Sequence, residues 1–379
     1  MSLLSRAIEI YKRDGLISLL RRSKLFLASE IIPKTVWTIL PEAKTKRIIG
    51  KSKILTNIFY FIRGVFYHEQ RALLYGQSFY IENEVEKADP IYSITRSTHR
   101  IEKGLSMKNR RDVFAEGYII DLVGSLEQVV QEIGNNECVP TQLEWTLDVL
   151  DEYFSVVDHT EPIENAYDLY LELIEKLDYT PGDKRPFPHG EIQNSGMNFE
   201  SFAQLAETRH SVRWFKQKDV DRDLIDDAIS VAVESPSACN RQSFRFYVFD
   251  DDDLIDELAS IPGGAKSYKN NIPCLVILVG RQRAYFHDRD KHVIYIDASL
   301  AAMTFQYALE SMGLGSCCIN WQSIPRNQRK VRKKLNLDPD EKVIMYMAVG
   351  YPDPEGRIPY SEKKSLDDIR SYNHGKNKQ

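Results

Sequence analysis

The sequence predicts an α+β domain in its C-terminal half, preceded by a mostly helical N-terminal half. Three observations lead there. Two short apolar runs, "IPCLVILVG" (272–280) and "KVIMYMAVGYP" (342–352), have the length and β-branched content of strands buried on both faces. Between and before them lie helical patterns such as "IDASLAAMTFQYALESMGLG" (296–315), with small residues on one side and a glycine stop. Strand–helix–strand units are too few for a doubly wound sheet, so helices and strands are mixed without regular alternation.

The elements follow in chain order. In residues 1–68, "AIEIYKRDGLISLLRRSKLFLASEII" returns apolar residues every three or four positions, interrupted by basic pairs. Helices packed in their own domain account for that spacing. A basic amphipathic element on an anionic membrane face accounts for it too, with Arg21, Arg22, Lys24, Lys44, Lys46 and Arg47 as its cations. "DVFAEGYIIDLVGSLEQVVQEIG" and "AYDLYLELIEKL" continue the helical spacing toward residue 180. The charged stretch "THRIEKGLSMKNRRDVF" (98–114) reads as a solvated helix and loop, or as a pocket wall carrying His99, Arg100, Lys103 and Arg110.

"PGDKRPFPHGEIQNSGMN" (181–198) is rich in Pro, Gly and polar residues and reads as a linker. The expected organisation is therefore a helical region of unassigned role over 1–180, a linker over 181–198 and a folded domain over 199–379. Within that domain "DRDLIDDAISVAVES" is a helix with its acids early, as the helix dipole favours, and "FRFYVFD" alternates as a strand.

Composition narrows the class. The 379 residues carry a net charge of −5, which gives no global signal for nucleic acid. The charge is unevenly placed: residues 1–68 carry +9 and the remainder −14. Five cysteines, with no CxxC and no metal-ligand spacing, argue for a reducing compartment and against a disulfide framework or a metal site. The opening residues are too charged for a signal peptide, and runs such as "ILTNIFYFI" (54–62) are short of the roughly 20 residues a bilayer span needs. The expected location is cytoplasmic, peripheral to a membrane at most.

Two polar clusters flank one helix. "RHSVRWF" (209–215) sets Arg209 and Arg213 four residues apart, on one face of either a helix or a strand, with Ser211 between them. Two guanidiniums and a hydroxyl suit a phosphate, and they would also suit an exposed basic turn. "SPSACNRQ" (235–242) stops the next helix at Pro236 and presents Ser237, Asn240, Arg241 and Gln242 ahead of a strand. Turn chemistry explains Pro236 and Asn240; the density of amides and hydroxyls also suits the edge of a flat heteroaromatic ring. A phosphate clamp and an amide-rich loop together suggest a phosphorylated planar cofactor. Cys317 and Cys318, beside a glycine turn, read as small buried hydrophobes, and His287 and His292 as surface-loop residues.

"RHSVRWF", "SPSACNRQSFRFYVF", "YIDASLAAM", "GLGSCCINW" and "AVGYPDPEGRIPYSEKKSL", in this order, resemble the nitroreductase family of FMN-dependent oxidoreductases over residues about 200–373. The resemblance implies an antiparallel-dominated sheet wrapped by helices, and a homodimer with FMN in the groove between subunits. It implies that Arg209 and Arg213 hold the phosphate, with His210 and Ser211 beside the ribityl chain and ring. Pro236, Ser237, Ala238 and Asn240 match the loop facing the isoalloxazine of the other subunit. Gly315 and Ser316 match the backbone near flavin N5. Lys363 and Lys364 match the C-terminal cations at the phosphate, where the family often has an arginine fork. No side-chain acid or nucleophile is implied, because the flavin performs the redox step, with NADH or NADPH as donor and a small molecule as acceptor. A flavin-binding scaffold without turnover, and a flavin-dependent dehydrogenation of a precursor, are the alternatives. The opening "AIEIYKRDGLISLLRRSKLF" is similar to leaders ahead of polysaccharide-assembly enzymes, which would make such a precursor glycan-linked.

Overall fold

The computed structural model describes residues 42–85, 90–133 and 140–374. Arg21, Arg22, Lys24 and Cys138 lie outside the described residues, as does the side chain of Lys44. Among the described residues no helix is long and apolar enough to cross a membrane.

Among the described residues seven helices lead: α1 (Glu42–Gly50), α2 (Lys53–Arg63), α3 (Tyr67–Val85), α4 (Ile91–Leu105), α5 (Ile119–Ile133), α6 (Thr141–Val156) and α7 (Glu161–Leu177). The last four bury one stripe each into a shared core that includes Ile94, Ile101, Leu126, Leu147, Tyr153 and Tyr170. That is the physical outcome of the 3.6-residue spacing read in the sequence. The charged 98–114 stretch is spent on this packing. Arg100 lies over the Tyr118 ring at 3.7 Å, and Glu102 accepts a bond of 2.8 Å from Trp145 Nε1. The 181–198 stretch begins pinned to α6, where the buried Asp148 accepts from the backbone N–H groups of Gly182 and Lys184 at 2.8 and 2.9 Å. Residues 187–200 are then exposed throughout.

The C-terminal half follows as α8 (Phe199–Thr208), α9 (Arg222–Val233), β1 (Phe244–Phe249), α10 (Asp252–Ala259), β2 (Cys274–Arg281), α11 (Val293–Ser311), β3 (Gly315–Ile319), α12 (Pro325–Leu335), β4 (Glu341–Gly350) and the short α13 (Leu366–Ile369). The strands form one sheet in the order β1-β2-β4-β3, each neighbour antiparallel. Both faces are buried, because each inner strand divides its side chains between two cores. Leu275, Ile277 and Val279 of β2 face one core with Val343 and Tyr346. Cys274, Val276 and Leu278 face the other with α9 and α11. The small side of α11 (Ala298, Ala301, Ala302) lets that helix lie close to the sheet. A bulge between Leu278 and Val279 leaves Ile344 as the extra residue of β4.

The two halves meet at α3 and α4. Gln77 Nε2 donates to Phe286 O and Asp288 Oδ1, both at 2.9 Å. Glu69 receives Tyr295 Oη at 3.0 Å. It also pairs at 2.9 Å with the buried Lys342 ammonium, in a geometry that is not that of a directed hydrogen bond. Tyr80 packs on Phe286 and Arg283 on Phe79, while α4 lies against the 238–240 turn.

Candidate functional site

The 209–216 segment is extended. Helix α8 is started by Asn198, which accepts from Ser201 N at 2.8 Å, and it stops at Arg209, whose backbone turns to the β region. The β-branched Val212 suits that conformation. The segment then lies along the free edge of β3. Val212 N donates to Ser316 O at 3.0 Å, Lys216 N to Tyr351 O at 2.9 Å, and Asp353 N to Trp214 O at 3.0 Å. Val212 and Phe215 point inward and are buried, contributing about 1.5–3 kcal/mol each. The alternation therefore turns Arg209, Ser211 and Arg213 to the other side, where all three are half-buried.

Two glycines make that approach possible. α11 ends in a Schellman motif: Gly313 takes a left-handed φ of 77°, its N–H reaches Glu310 O at 3.1 Å, and Leu314 N reaches Leu309 O at 2.9 Å. The chain is thereby aimed into β3 at Gly315. A Cβ on Gly315 would fall 2.8 Å from Val212 Cγ2, so the two backbones can be neighbours only without one.

Arg213 Nη1 donates to Ser211 O at 3.3 Å and lies beside Tyr268, whose hydroxyl contacts the buried Cys317 Sγ at 3.7 Å. Burial, then the neighbouring Cys317, pushes the Tyr268 phenol well above its ordinary range. Cys318 differs from the expectation for a small buried hydrophobe. It is exposed, and the Arg209 charge acts on it. His210 contacts Thr208 O at 2.8 Å through Nδ1. Among the described residues no carboxylate forms an ion pair with Arg209 or Arg213.

The second cluster is built differently. Cys239, Asn240 and Gln242 all have positive φ (55°, 53° and 46°), a strained run for side-chain-bearing residues. Its polar groups are used to hold it. Gln242 N donates to Ser237 Oγ at 3.1 Å, and Gln242 Nε2 to Asn240 Oδ1 at 3.1 Å. Arg241, read in the sequence as a presented side chain, is instead buried. Its Nε donates to Ala238 O at 3.2 Å, Nη1 to Ala284 O, and its guanidinium lies over the Tyr285 ring at 4.3 Å. The residue that secures the turn is Asp297 on α11. It accepts from Ala238 N at 3.2 and 3.3 Å and from the Tyr285 hydroxyl. Burial raises the Asp297 carboxyl above the ordinary range, against the opposing hydrogen bonds and the Arg241 charge.

Asp297, Tyr285 and Tyr268 were not singled out from the sequence. The signal for Asp297 was present: it sits at α11's buried positions, next to Ala298 and one turn from Ile294 and Ala301. Tyr268 and Tyr285 lie in unpatterned loops and gave none.

Within one chain these groups do not all meet. Arg209, Ser211 and Arg213 come together against Ser316. Pro236, Ser237, Ala238 and Asn240 make no hydrogen bond or ion pair with them among the described residues. Residues 357–374 are all exposed; Lys363 Nζ donates to Ser361 O at 2.9 Å, and Lys364 projects into solvent beside it. His287 and His292 are surface residues, as expected.

Several known proteins are similar to parts of this chain. The nitroreductase family model matches residues 206–266 and 260–351. Iodotyrosine deiodinase 1 of Sus scrofa is 24% identical over 236 residues, 55% of this chain and 79% of that protein. The iodotyrosine deiodinase of Hydra vulgaris is 24% identical over 227 residues, 52% of this chain and 81% of that protein. Among solved structures, an FMN-dependent nitroreductase from Clostridium difficile aligns with TM-score 0.40 and 22% identity, over 45% of this chain and 98% of that one. A nitroreductase family protein from Streptococcus pneumoniae aligns with TM-score 0.39 and 23% identity, over 45% and 99%. The nitroreductase family model thus falls in the C-terminal half of this chain and, with the iodotyrosine deiodinase relatives, indicates a flavin-dependent oxidoreductase-like enzyme.

Proposed function

We propose that the chain binds FMN noncovalently and uses it to pass reducing equivalents from a nicotinamide donor to a small acceptor. The observation that carries this reading is the 209–216 segment. Arg209 and Arg213 are half-buried, flank the Ser211 contact with the Ser316 edge of β3 and, among the described residues, lack carboxylate partners, an arrangement that costs desolvation unless an anion completes it. Arg209, Ser211 and Arg213 would hold the phosphate, with His210 nearby and Lys363 or Lys364 adding charge from the C-terminal arm. The chemistry supplied by FMN when bound is two-electron transfer at its ring. The chain's own part is to fix the phosphate, approach the ring with the Gly315–Ser316 backbone, and keep water from the reacting face.

A homodimer fits the same reading. Pro236–Asn240 makes no hydrogen bond or ion pair with the arginines among the described residues, and a second copy would bring its own turn to the ring. Apolar surface is available for that contact: Phe199 and Phe202 on α8, Ile296 and Leu300 on α11, and Tyr360, Leu366 and Ile369 on the C-terminal arm are all exposed.

The test is the visible spectrum of the purified protein, followed by anaerobic NADH or NADPH. A flavin spectrum that bleaches supports the reading. A yellow protein that no nicotinamide bleaches would favour a scaffold without turnover or a dehydrogenation driven from the substrate side. Nitroaromatics and iodotyrosine, the latter after the relatives' names, are the first acceptors to try once the flavin is reduced.

A further inference from the structure

Helix α2 places its apolar stripe outward. Ile54, Ile58 and Phe61 follow one another at spacings of four and three residues, the period of a single helical face, and Val65 follows just past the Gly64 cap. All four are exposed, with Phe61 at 72% and Ile54 at 70%, and no residue of α2 is buried. A helix belonging to a soluble core does the opposite. The aromatic groups continue beyond it, because Tyr60 packs edge-on against Phe66, and Phe66 and Tyr67 are exposed too. Residues 43–68 hold six Lys or Arg and no Asp or Glu.

A second feature, distant in sequence, adjoins the start of α3, which follows α2 in the chain. Helix α12, "PRNQRKVRKKL", carries six cations and no carboxylate in eleven residues. Arg326, Arg329, Lys330, Lys333 and Lys334 are exposed, and among the described residues Lys334 is the one that pairs, with Glu257. Its leading turn is held to the start of α3, where Ser323 Oγ donates to Glu69 Oε1 at 3.5 Å. Arg329 lies near enough to His68 for its charge to act on the imidazole. Ile324, at the entrance to α12, is exposed as well. The apolar face of α2 thus leads, through Val65–Tyr67, into the start of α3, where Glu69 holds the turn ahead of the basic helix α12.

We propose that α2 and α12 together form a docking surface for an anionic lipid bilayer, with the α2 stripe lying in the headgroup boundary and the α12 cations on the phosphates. A bilayer is the occupant that uses both features. A polyanion such as RNA would engage the cations and leave Ile54, Ile58 and Phe61 in water. A second protein copy would cover the stripe but would bring its own cations to the same face. The surface lies on the membrane and does not span it.

Flotation of the full-length protein with phosphatidylcholine vesicles, with and without phosphatidylserine, tests this. Capture is expected only with phosphatidylserine, and it is lost as salt rises. Two surface variants separate the parts, Ile54→Asp with Ile58→Asp, and Lys330→Glu with Lys333→Glu. Each should weaken vesicle binding about tenfold or more, since one cation near such a surface contributes roughly fivefold. Both should retain the wild-type melting temperature and flavin spectrum. The proposal is overturned if wild-type protein stays unbound with phosphatidylserine at low salt. It is equally overturned if the α2 variant binds vesicles as wild type does while the α12 variant loses affinity for RNA, or if the α2 variant only shifts the oligomeric state.

Discussion

The segments 209–216 and 236–242 are both dense in polar side chains, and they use that density in opposite ways. In 236–242 nearly every donor is answered inside the chain: Arg241 by Ala238 and Ala284 carbonyls, Gln242 by Ser237 and Asn240, Ala238 by Asp297. In 209–216 the backbone is answered by β3 and the residues after β4, while among the described residues no carboxylate pairs with the guanidiniums of Arg209 and Arg213. The first arrangement stabilises a strained turn; the second leaves charge available for something outside the chain. Polar density in a sequence therefore signals a site only where the fold does not consume it.

The sharpest way to break this comparison is to remove each cluster's charged groups and ask what is lost. Changing Arg209 and Arg213 together to Ala should lower FMN affinity by about 10²-fold or more, since each charge-assisted bond contributes about 1.5–3 kcal/mol. Chemical denaturation of the apo form should change by about 1 kcal/mol or less, because the internal bonds lost are those of Arg213 to Ser211 O and Tyr268 and, among the described residues, no carboxylate is left unpaired. Fluorescence titration with FMN and urea unfolding give the two readings. A large loss of apo stability would mean that the arginines are structural after all.

Asp297→Ala should behave in the reverse manner. It leaves Ala238 N–H and the Tyr285 hydroxyl without their acceptor in a buried setting, at a cost of about 2–4 kcal/mol in urea unfolding. An unchanged midpoint would show that the turn does not depend on that carboxylate.

What was legible follows the same division. The strands at 272–280 and 342–352 and the α11 helix were readable because burial on both sheet faces imposes near-continuous apolar runs, and a helix stop needs its glycine. Arg209 and Arg213 were readable as a pair because the i, i+4 spacing keeps them on one side in either conformation. The choice between helix and strand was not, since it is decided by the edge of β3, a hundred residues away. Asp297 escaped for a related reason. Its partners at Ala238 and Tyr285 come from two other loops, and no local pattern announces a carboxylate that braces a distant turn. The apolar stripe of α2 was legible as helical spacing, but its outward orientation is a property of the folded chain alone.

Gly315→Ala tests the contact that keeps the clamp in place. The added Cβ would meet Val212 at 2.8 Å, backed by Pro352 Cγ at 3.0 Å, so the 209–216 segment must shift. Overpacking of this kind costs about 1–3 kcal/mol. The expected result is a moderate stability loss together with weaker FMN binding, in contrast to the arginine variant, which affects mainly binding. Weakened stability with unaltered FMN affinity would separate the clamp from β3.

The smallest expected effect is a pH dependence confined to the turn. Burial raises the Asp297 carboxyl in the folded chain above its unfolded value near 3.8, outweighing the donors at Ala238 and Tyr285. The folded state then holds that proton more tightly than the unfolded state. The contribution is fully present below the unfolded value and is lost as pH rises through the folded one. Asp297→Asn has no proton to lose and keeps an acceptor for Ala238. The urea midpoint of the wild type should therefore fall relative to Asp297→Asn as pH is raised from about 4 toward neutrality. Arg209 and Arg213 stay charged throughout, so apo stability should gain no matching slope from the clamp. A wild-type midpoint that rises with pH relative to Asp297→Asn would mean that the hydrogen bonds to the carboxylate prevail over its burial. The turn would then be braced by an ion rather than by a neutral acid.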